Sequence, residues 1–165
     1  MIFERIPRSA FFIAVTLCLG ACGRDGDPGD SEAAALPAEA AAAAPEATRT
    51  RSPAGASVTF VTPEDGATVG NPVRVEFRIT GMDLVPAGNN ASNSGHHHIL
   101  IDTPLPDLDL PVPADARHVH FGDGSSSTEL TLPPGEHTLQ LLFADYLHIP
   151  HDPPVYSEPI RITVE

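Results

Sequence analysis

The middle and the end of the chain alternate between apolar and polar residues in short runs that are typical of β-strands. From Val73 to Ile79 every second residue is apolar, and the residues between them are charged. This period of two predicts a strand with one buried and one solvated face. Six further runs have a strand-like composition: residues 57–61, 96–102, 117–121, 128–132, 137–145 and 159–164.

The segments between these runs are rich in Gly, Pro, Asn and Asp, which favour turns, and signals for helices are nearly absent. About seven short strands in roughly a hundred residues predict an antiparallel β-sandwich of immunoglobulin-like type. A β-barrel is the alternative, because the number of strands alone does not separate the two folds. The sequence thus predicts one all-β domain over residues 57–165.

The first 21 residues have the order of a secretory signal peptide. Two arginines precede the apolar stretch 10–19, which is too short to span a bilayer as a helix. The run LGAC that ends at Cys22 resembles a bacterial lipobox, which implies cleavage before this cysteine and attachment of lipid to it. Gly23 replaces the aspartate that usually retains lipoproteins in the inner membrane. The resemblance therefore implies anchoring in the outer membrane, facing the periplasm.

Residues 22–56 predict a disordered linker between the lipidated cysteine and the folded domain. Alanine, proline and polar residues dominate this segment, so it has little apolar surface with which to form a core. The whole chain has a formal net charge of −13 at pH 7. A charge of this sign repels nucleic acid and attracts cations, so we expect no nucleic-acid partner.

All eight histidines lie between His96 and His151. Side chains at positions i and i+2 of a strand point to the same face, about 6.5–7 Å apart, so two imidazoles in this spacing can bind one metal ion. His96 forms such a pair with His98, and His118 forms another with His120. If the two strands are neighbours, four imidazoles meet on one face of the sheet.

The proline-rich segment HIPHDPP, interpreted as a stiff loop, adds two more candidate ligands. Two other histidines share the parity of the apolar residues in their strands, which predicts a buried or supporting role, and two aspartates lie near the proline-rich segment. The predicted metal ligands are His96, His98, His118, His120, His148 and His151. The predicted supporting residues are His97, His137, Asp145 and Asp152.

The ligands available to a metal in this domain are nitrogen and oxygen atoms, because both cysteines precede residue 57. Ligand softness therefore favours Cu(II) or Zn(II) over Cu(I) or an iron–sulfur cluster. The sequence contains no phosphate-binding loop or dinucleotide fingerprint, so we expect no organic cofactor.

Three motifs, GHHHILID, HVHFGDG and PGEHTLQLLFADYLHIPHDPPVYS, resemble a bacterial family catalogued as domain of unknown function 4399. The resemblance extends from Val58 to Val164, and the opening TPEDGATVGNPVRVEF is similar to the first strands of bacterial immunoglobulin-like domains. This resemblance implies an exported β domain and leaves its activity open.

Three functions fit these features, and the first is a metal-binding module for storage, delivery or detoxification. The second is an interaction or structural module that holds an envelope protein partner and uses its histidines for packing. The third is a metal-dependent hydrolase in which Asp102, Asp145 or Asp152 supplies the base. The hydrolase is the least favoured of the three, because it also needs an open coordination position and a base, and the sequence alone does not decide whether the protein is an enzyme.

Overall fold

The computed structural model describes residues 48–165, and every regular element in this range is a β-strand. This confirms the predicted all-β fold. Among the described residues, no helix is long and apolar enough to cross a membrane. The ten strands are β1 (Ser57–Thr62), β2 (Ala67–Val69), β3 (Val73–Thr80), β4 (Asp83–Leu84), β5 (Ser94–Ile101), β6 (His118–His120), β7 (Ser127–Leu130), β8 (Gly135–Ala144), β9 (Pro150–Tyr156) and β10 (Ile160–Val164).

The strands form two sheets that enclose one apolar core. The smaller sheet has the order β1-β3-β7, and the larger has the order β2-β10-β8-β5-β4, where β6 also pairs with β5 and β9 with β8. Phe77 of the smaller sheet packs in the same core as Ile99 and Leu141 of the larger one. This two-layer arrangement is consistent with the predicted β-sandwich.

Strands β3 and β5 show how the core is divided between the sheets. In β3 the predicted alternation is present, with Val73 buried, Arg74 exposed and Phe77 buried again. All eight residues of β5 are buried, because one face lies in the sandwich core and the other is covered as well. On this outer face Leu100 packs with Leu142 and neighbouring loop residues in a second, smaller apolar cluster.

The structure corrects the expected number and direction of the strands. Three strands were missed, namely β2, β4 and β9, and two pairings, β2 with β10 and β4 with β5, are parallel rather than antiparallel. β2 and β4 have only three and two residues, too few for a periodic signal. β9 contains most of the HIPHDPP segment, which is therefore a strand over much of its length rather than a loop. Its prolines argue against a strand except near a sheet edge, where fewer N–H groups must donate.

The predicted signal peptide 1–21 and the lipidation site Cys22 lie outside the described residues, as does the linker up to residue 47. The end of the predicted linker, in contrast, is described and packs on the domain. Residues 49–52 lie alongside β9 and form an isolated parallel bridge with it. We refer to residues 49–52 as the N-terminal strap.

Candidate metal centre

Strand β5 presents its three consecutive histidines to opposite faces of the larger sheet. His97 points into the sandwich, where its ring centroid lies 4.6 Å from that of Phe77 and 5.0 Å from that of Phe143. His96 and His98 lie on the other face, with ring centroids 4.9 Å apart. The three side chains are at most 1% exposed. Two imidazoles are thus buried on the outer face, away from the apolar core.

Strand β6 lies beside β5 and adds one ring to this pair. His98 is paired with His120 in the antiparallel register, and Leu100 with His118. The two His-x-His pairs are therefore offset by two residues, about 7 Å, so the His118 side chain lies beside a leucine. Gly122 follows β6, and a Cβ atom there would lie 2.4 Å from Cε1 of His120. The absence of a side chain at Gly122 leaves the space that the His120 ring occupies.

A fourth ring comes from the turn between β8 and β9. The Asp145 Oδ1 atom accepts hydrogen bonds from the amides of Leu147 at 2.9 Å and Ile149 at 3.0 Å. His148, inside this turn, has a φ angle of +66°. Histidine adopts this left-handed region more readily than most residues, although the conformation is strained. The turn places the His148 ring centroid 4.9 Å from that of His96.

These four rings lie against one another, with ring centroids 4.8–5.9 Å apart, and we call them the histidine cluster. The Nε2 atoms of His120 and His148 are 3.2 Å apart. Two nitrogens bound to one tetrahedral ion at 2.0–2.1 Å are about 3.3 Å apart, so this separation already suits a shared metal. One nitrogen from each of His96, His98 and His120 lies within 4.8 Å of the others, which requires a small inward shift of the rings. The histidine cluster consists of His96, His98, His120 and His148.

Buried nitrogens of the cluster have no hydrogen-bond partner within residues 48–165. Both ring nitrogens of His96 and Nδ1 of His98 are in this state. A buried polar atom without a partner costs about 1–3 kcal/mol, and such atoms are rare in folded proteins. Each neutral imidazole also offers one lone pair. Lone pairs that converge on one point and receive no hydrogen bond are typical of the ligands of a metal ion.

The electrostatic environment favours the neutral form of three of these rings. Burial lowers the pKa of His96 to about 4, and the nearby ring of His148 lowers it further. Burial, together with the ring of His96, lowers the pKa of His98 to about 2. Burial also lowers the pKa of His120 below its ordinary value. Since a metal binds only deprotonated imidazole, these ligands are ready to bind at neutral pH.

A comparison with known protein families matches residues 75–165, more than half of the chain, to the family described as Domain of unknown function (DUF4399). The chain belongs to this family. The match confirms the resemblance carried by the histidine-rich motifs, and the whole histidine cluster of the DUF4399 domain lies within the matched residues. Comparisons with curated proteins and with solved structures gave no match.

Two of the six predicted ligands of the DUF4399 domain lie outside the histidine cluster. The Nδ1 atom of His118 is 2.8 Å from Oδ1 of Asp115, which holds the ring away from the other imidazoles. His151 is buried and stacks on Phe143 with a centroid separation of 5.8 Å. Its Nδ1 atom lies 2.7 Å from Oγ1 of Thr50, a residue of the N-terminal strap.

The remaining histidines of the DUF4399 domain occupy structural positions. His97 lies in the core, on the parity predicted from its sequence position. His137 places Nδ1 2.7 Å from Oδ2 of Asp102 and Nε2 2.8 Å from the carbonyl oxygen of Pro133. Both partners are acceptors within the domain, so both ring nitrogens of His137 face protein oxygens rather than the histidine cluster. The hydrogen bond to Asp102 accordingly raises the pKa of His137.

The three carboxylates considered as bases for hydrolysis either hold other parts of the domain by hydrogen bonds or are exposed. Asp102 accepts hydrogen bonds from His137 and from the amide of Thr138. Asp145 uses its oxygens to build the turn before β9 and to hold the N-terminal strap. Asp152 is exposed on β9. In the described part of the DUF4399 domain, no hydrogen bond joins these carboxylates to the histidine cluster.

Gly122 was not identified from the sequence, and Asp145 was identified as a supporting residue without a prediction of the turn that this residue builds. Gly122 gives the His120 ring its space, and Asp145 was considered as a ligand or acceptor rather than as the residue that builds the turn. Both residues stand at a sequence spacing from a cluster histidine that could have indicated their role. A glycine stands two residues after His120, and Asp145 precedes His148 by three residues, a spacing that suits a carboxylate-capped turn.

Proposed function

We propose that this chain is a lipoprotein of the cell envelope that binds one Cu(II) or Zn(II) ion at the histidine cluster and so stores, delivers or detoxifies the metal. The observation that carries the proposal is the convergence of His96, His98 and His120, whose nitrogens lie within 4.8 Å of one another, together with buried nitrogens of His96 and His98 that have no partner within residues 48–165. The net charge of −13 supports it, because a negative surface raises the local concentration of cations.

The number of ligands favours binding over catalysis. If His148 joins the three convergent rings His96, His98 and His120, four imidazoles fill the coordination of a tetrahedral Zn(II) ion, whereas catalytic zinc has three protein ligands and an open position. The same four nitrogens suit the tetragonal geometry of Cu(II). Both ions therefore enter the tests below, and each is measured separately.

The two histidines of β6 provide a matched test. His120→Ala removes a ring of the cluster, and we expect the affinity for the better-bound ion to fall by more than about 100-fold, since losing a mere supporting contact costs 10–100-fold. His118→Ala removes a ring from the same strand but outside the cluster, and its affinity should stay within a few-fold of the wild type. Calorimetric titration of the full chain in mild detergent measures both values.

The stoichiometry of the wild type should be one ion per chain. The proposal is wrong if neither ion binds the wild type more tightly than it binds free imidazole. Equal losses of metal affinity in His118→Ala and His120→Ala would place the metal site elsewhere on the domain. Circular dichroism shows whether both variants keep the β fold.

The anchor at Cys22 is tested independently of the metal. Cys22→Ser removes the sulfur to which the lipid is proposed to attach, so we expect the variant to take up no labelled palmitate and to remain uncleaved before position 22. The measurement is palmitate labelling and the size of the chain in cells that export it. A wild type that takes up no palmitate contradicts the proposed lipoprotein.

A further inference from the structure

The N-terminal strap binds the domain next to the histidine cluster. The amide of Asp152 donates to the carbonyl oxygen of Thr50 at 2.9 Å, and the amide of Ser52 donates to the carbonyl oxygen of Asp152 at 3.2 Å. The guanidinium group of Arg49 donates to the carbonyl oxygens of Pro150 and of the next residue. The two backbone hydrogen bonds extend the sheet by a short parallel segment, although the family match begins only at residue 75.

The side chain of Thr50 joins a buried carboxylate to a buried imidazole. Its hydroxyl group lies 3.1 Å from Oδ2 of Asp145 and 2.7 Å from Nδ1 of His151. A carboxylate only accepts, so the hydroxyl donates to Asp145 and accepts from the Nδ1–H group of His151. This fixes the His151 ring with a free lone pair on Nε2, a buried atom that has no partner within the described range.

The carboxylate that Thr50 holds also determines where His148 lies. The other oxygen of Asp145 accepts from the amides of Leu147 and Ile149, which close the turn around His148. The φ angle of +66° at His148 persists only if the surrounding contacts enforce it. A continuous set of hydrogen bonds therefore runs from Thr50 through Asp145 to the backbone on either side of His148.

We propose that Thr50 is a positioning residue for the metal centre, and that docking of the N-terminal strap sets the geometry of His148 and the tautomer of His151. This inference rests on the proposed metal binding. Groups that orient ligands through a second hydrogen bond typically change metal affinity by about 10–100-fold. The end of the segment predicted as linker is then part of the site.

Three variants of the full chain test the role of the hydroxyl group. Thr50→Val keeps the shape and removes the hydroxyl, and its affinity for the metal should fall about tenfold or more. Thr50→Ser restores the hydroxyl and should bind within a few-fold of the wild type. Ser52→Ala is the matched control, because it removes a strap hydrogen bond to the carbonyl oxygen of Pro153 that does not reach the cluster.

Two measurements without metal separate positioning from general loss of stability. In Thr50→Val the amides of Leu147 and Ile149 should exchange faster with solvent, and the nitrogen spectrum of His151 should lose its fixed Nδ1–H tautomer. Ser52→Ala and Thr50→Ser should show neither change.

The outcomes distinguish the two proposals. If the wild type binds metal and Thr50→Val binds it equally well, the positioning role is wrong and the metal-binding function stands. If Thr50→Val and Ser52→Ala lose affinity equally, the strap acts only through stability and the specific role of Thr50 is wrong. If the wild type binds neither ion, the proposed function fails, and the positioning role falls with it whatever the exchange rates.

Discussion

The metal-free chain should lose most of its stability as the pH falls from about 6.5 to 4.5. Burial lowers the pKa of His97 to about 4, that of His96 to about 4 and that of His98 to about 2, whereas an unfolded chain protonates each near 6.5. Between these pH values the unfolded state binds more protons than the folded state. The free energy of unfolding therefore decreases as the pH is lowered. Each ring contributes about 1.4 kcal/mol per pH unit, and three rings together about 4 kcal/mol per pH unit.

This decline is large compared with the total stability of a domain, which is typically about 5–15 kcal/mol. Above pH 6.5 the contribution of the three rings is complete, and stability should hardly change between pH 7 and 8. Urea unfolding in the presence of a chelator, measured from pH 8 to pH 4.5, determines the slope. A free energy of unfolding that stays constant down to pH 4.5 would show that these rings are not neutral and buried as described.

Replacing His97 by leucine should stabilise the metal-free chain by about 1–3 kcal/mol at pH 7.5. Both ring nitrogens of His97 are buried without a partner in the described part of the chain, between Phe77 and Phe143. Leucine has a similar volume and no polar atom, so His97→Leu removes the cost of those two nitrogens. The free energy of unfolding of the variant should also depend less steeply on pH in acid, because one of the buried rings with a lowered pKa is gone.

Ile99→Leu is the matched control for this variant. Ile99 points into the same core from the same strand, and a swap of equal volume usually costs less than about 1.5 kcal/mol. Ile99→Leu should leave the dependence of the free energy of unfolding on pH unchanged, because it removes no titrating group. If His97→Leu is instead less stable than the wild type at pH 7.5, the His97 nitrogens have a binding partner in solution. Metal affinity should stay near the wild-type value in both variants, since neither residue belongs to the histidine cluster.

The sequence predicted the long strands because their periodicity reflects burial. The alternation from Val73 to Ile79 is that of β3, and the opposite parities of His97 and His96 correspond to the two faces of β5. Strands of two or three residues carry no such period. The segment of β9 was missed for another reason, since its prolines are typical of loops and only its place near the sheet edge makes a strand possible.

The membership of the cluster could be predicted only in part. Three of its four rings follow from strand parity once β5 and β6 are neighbours, and this pairing is observed. The register between the two strands, which leaves His118 opposite Leu100, depends on tertiary contacts that a local pattern does not contain. The position of His148 depends on a left-handed residue held by Asp145, and no periodicity encodes such a turn.

The run of three histidines in β5 has a consequence for the fidelity of folding. If β5 slipped by one residue against its neighbours, a histidine would still lie on each face of the sheet, so the triplet itself hardly discriminates against the error. The slip would, however, move Ile99 and Ile101 out of the sandwich core, where both are buried. The two isoleucines, and not the histidines, therefore favour the correct alignment of the strand, and replacing both by polar residues, unlike Ile99→Leu, would remove that preference.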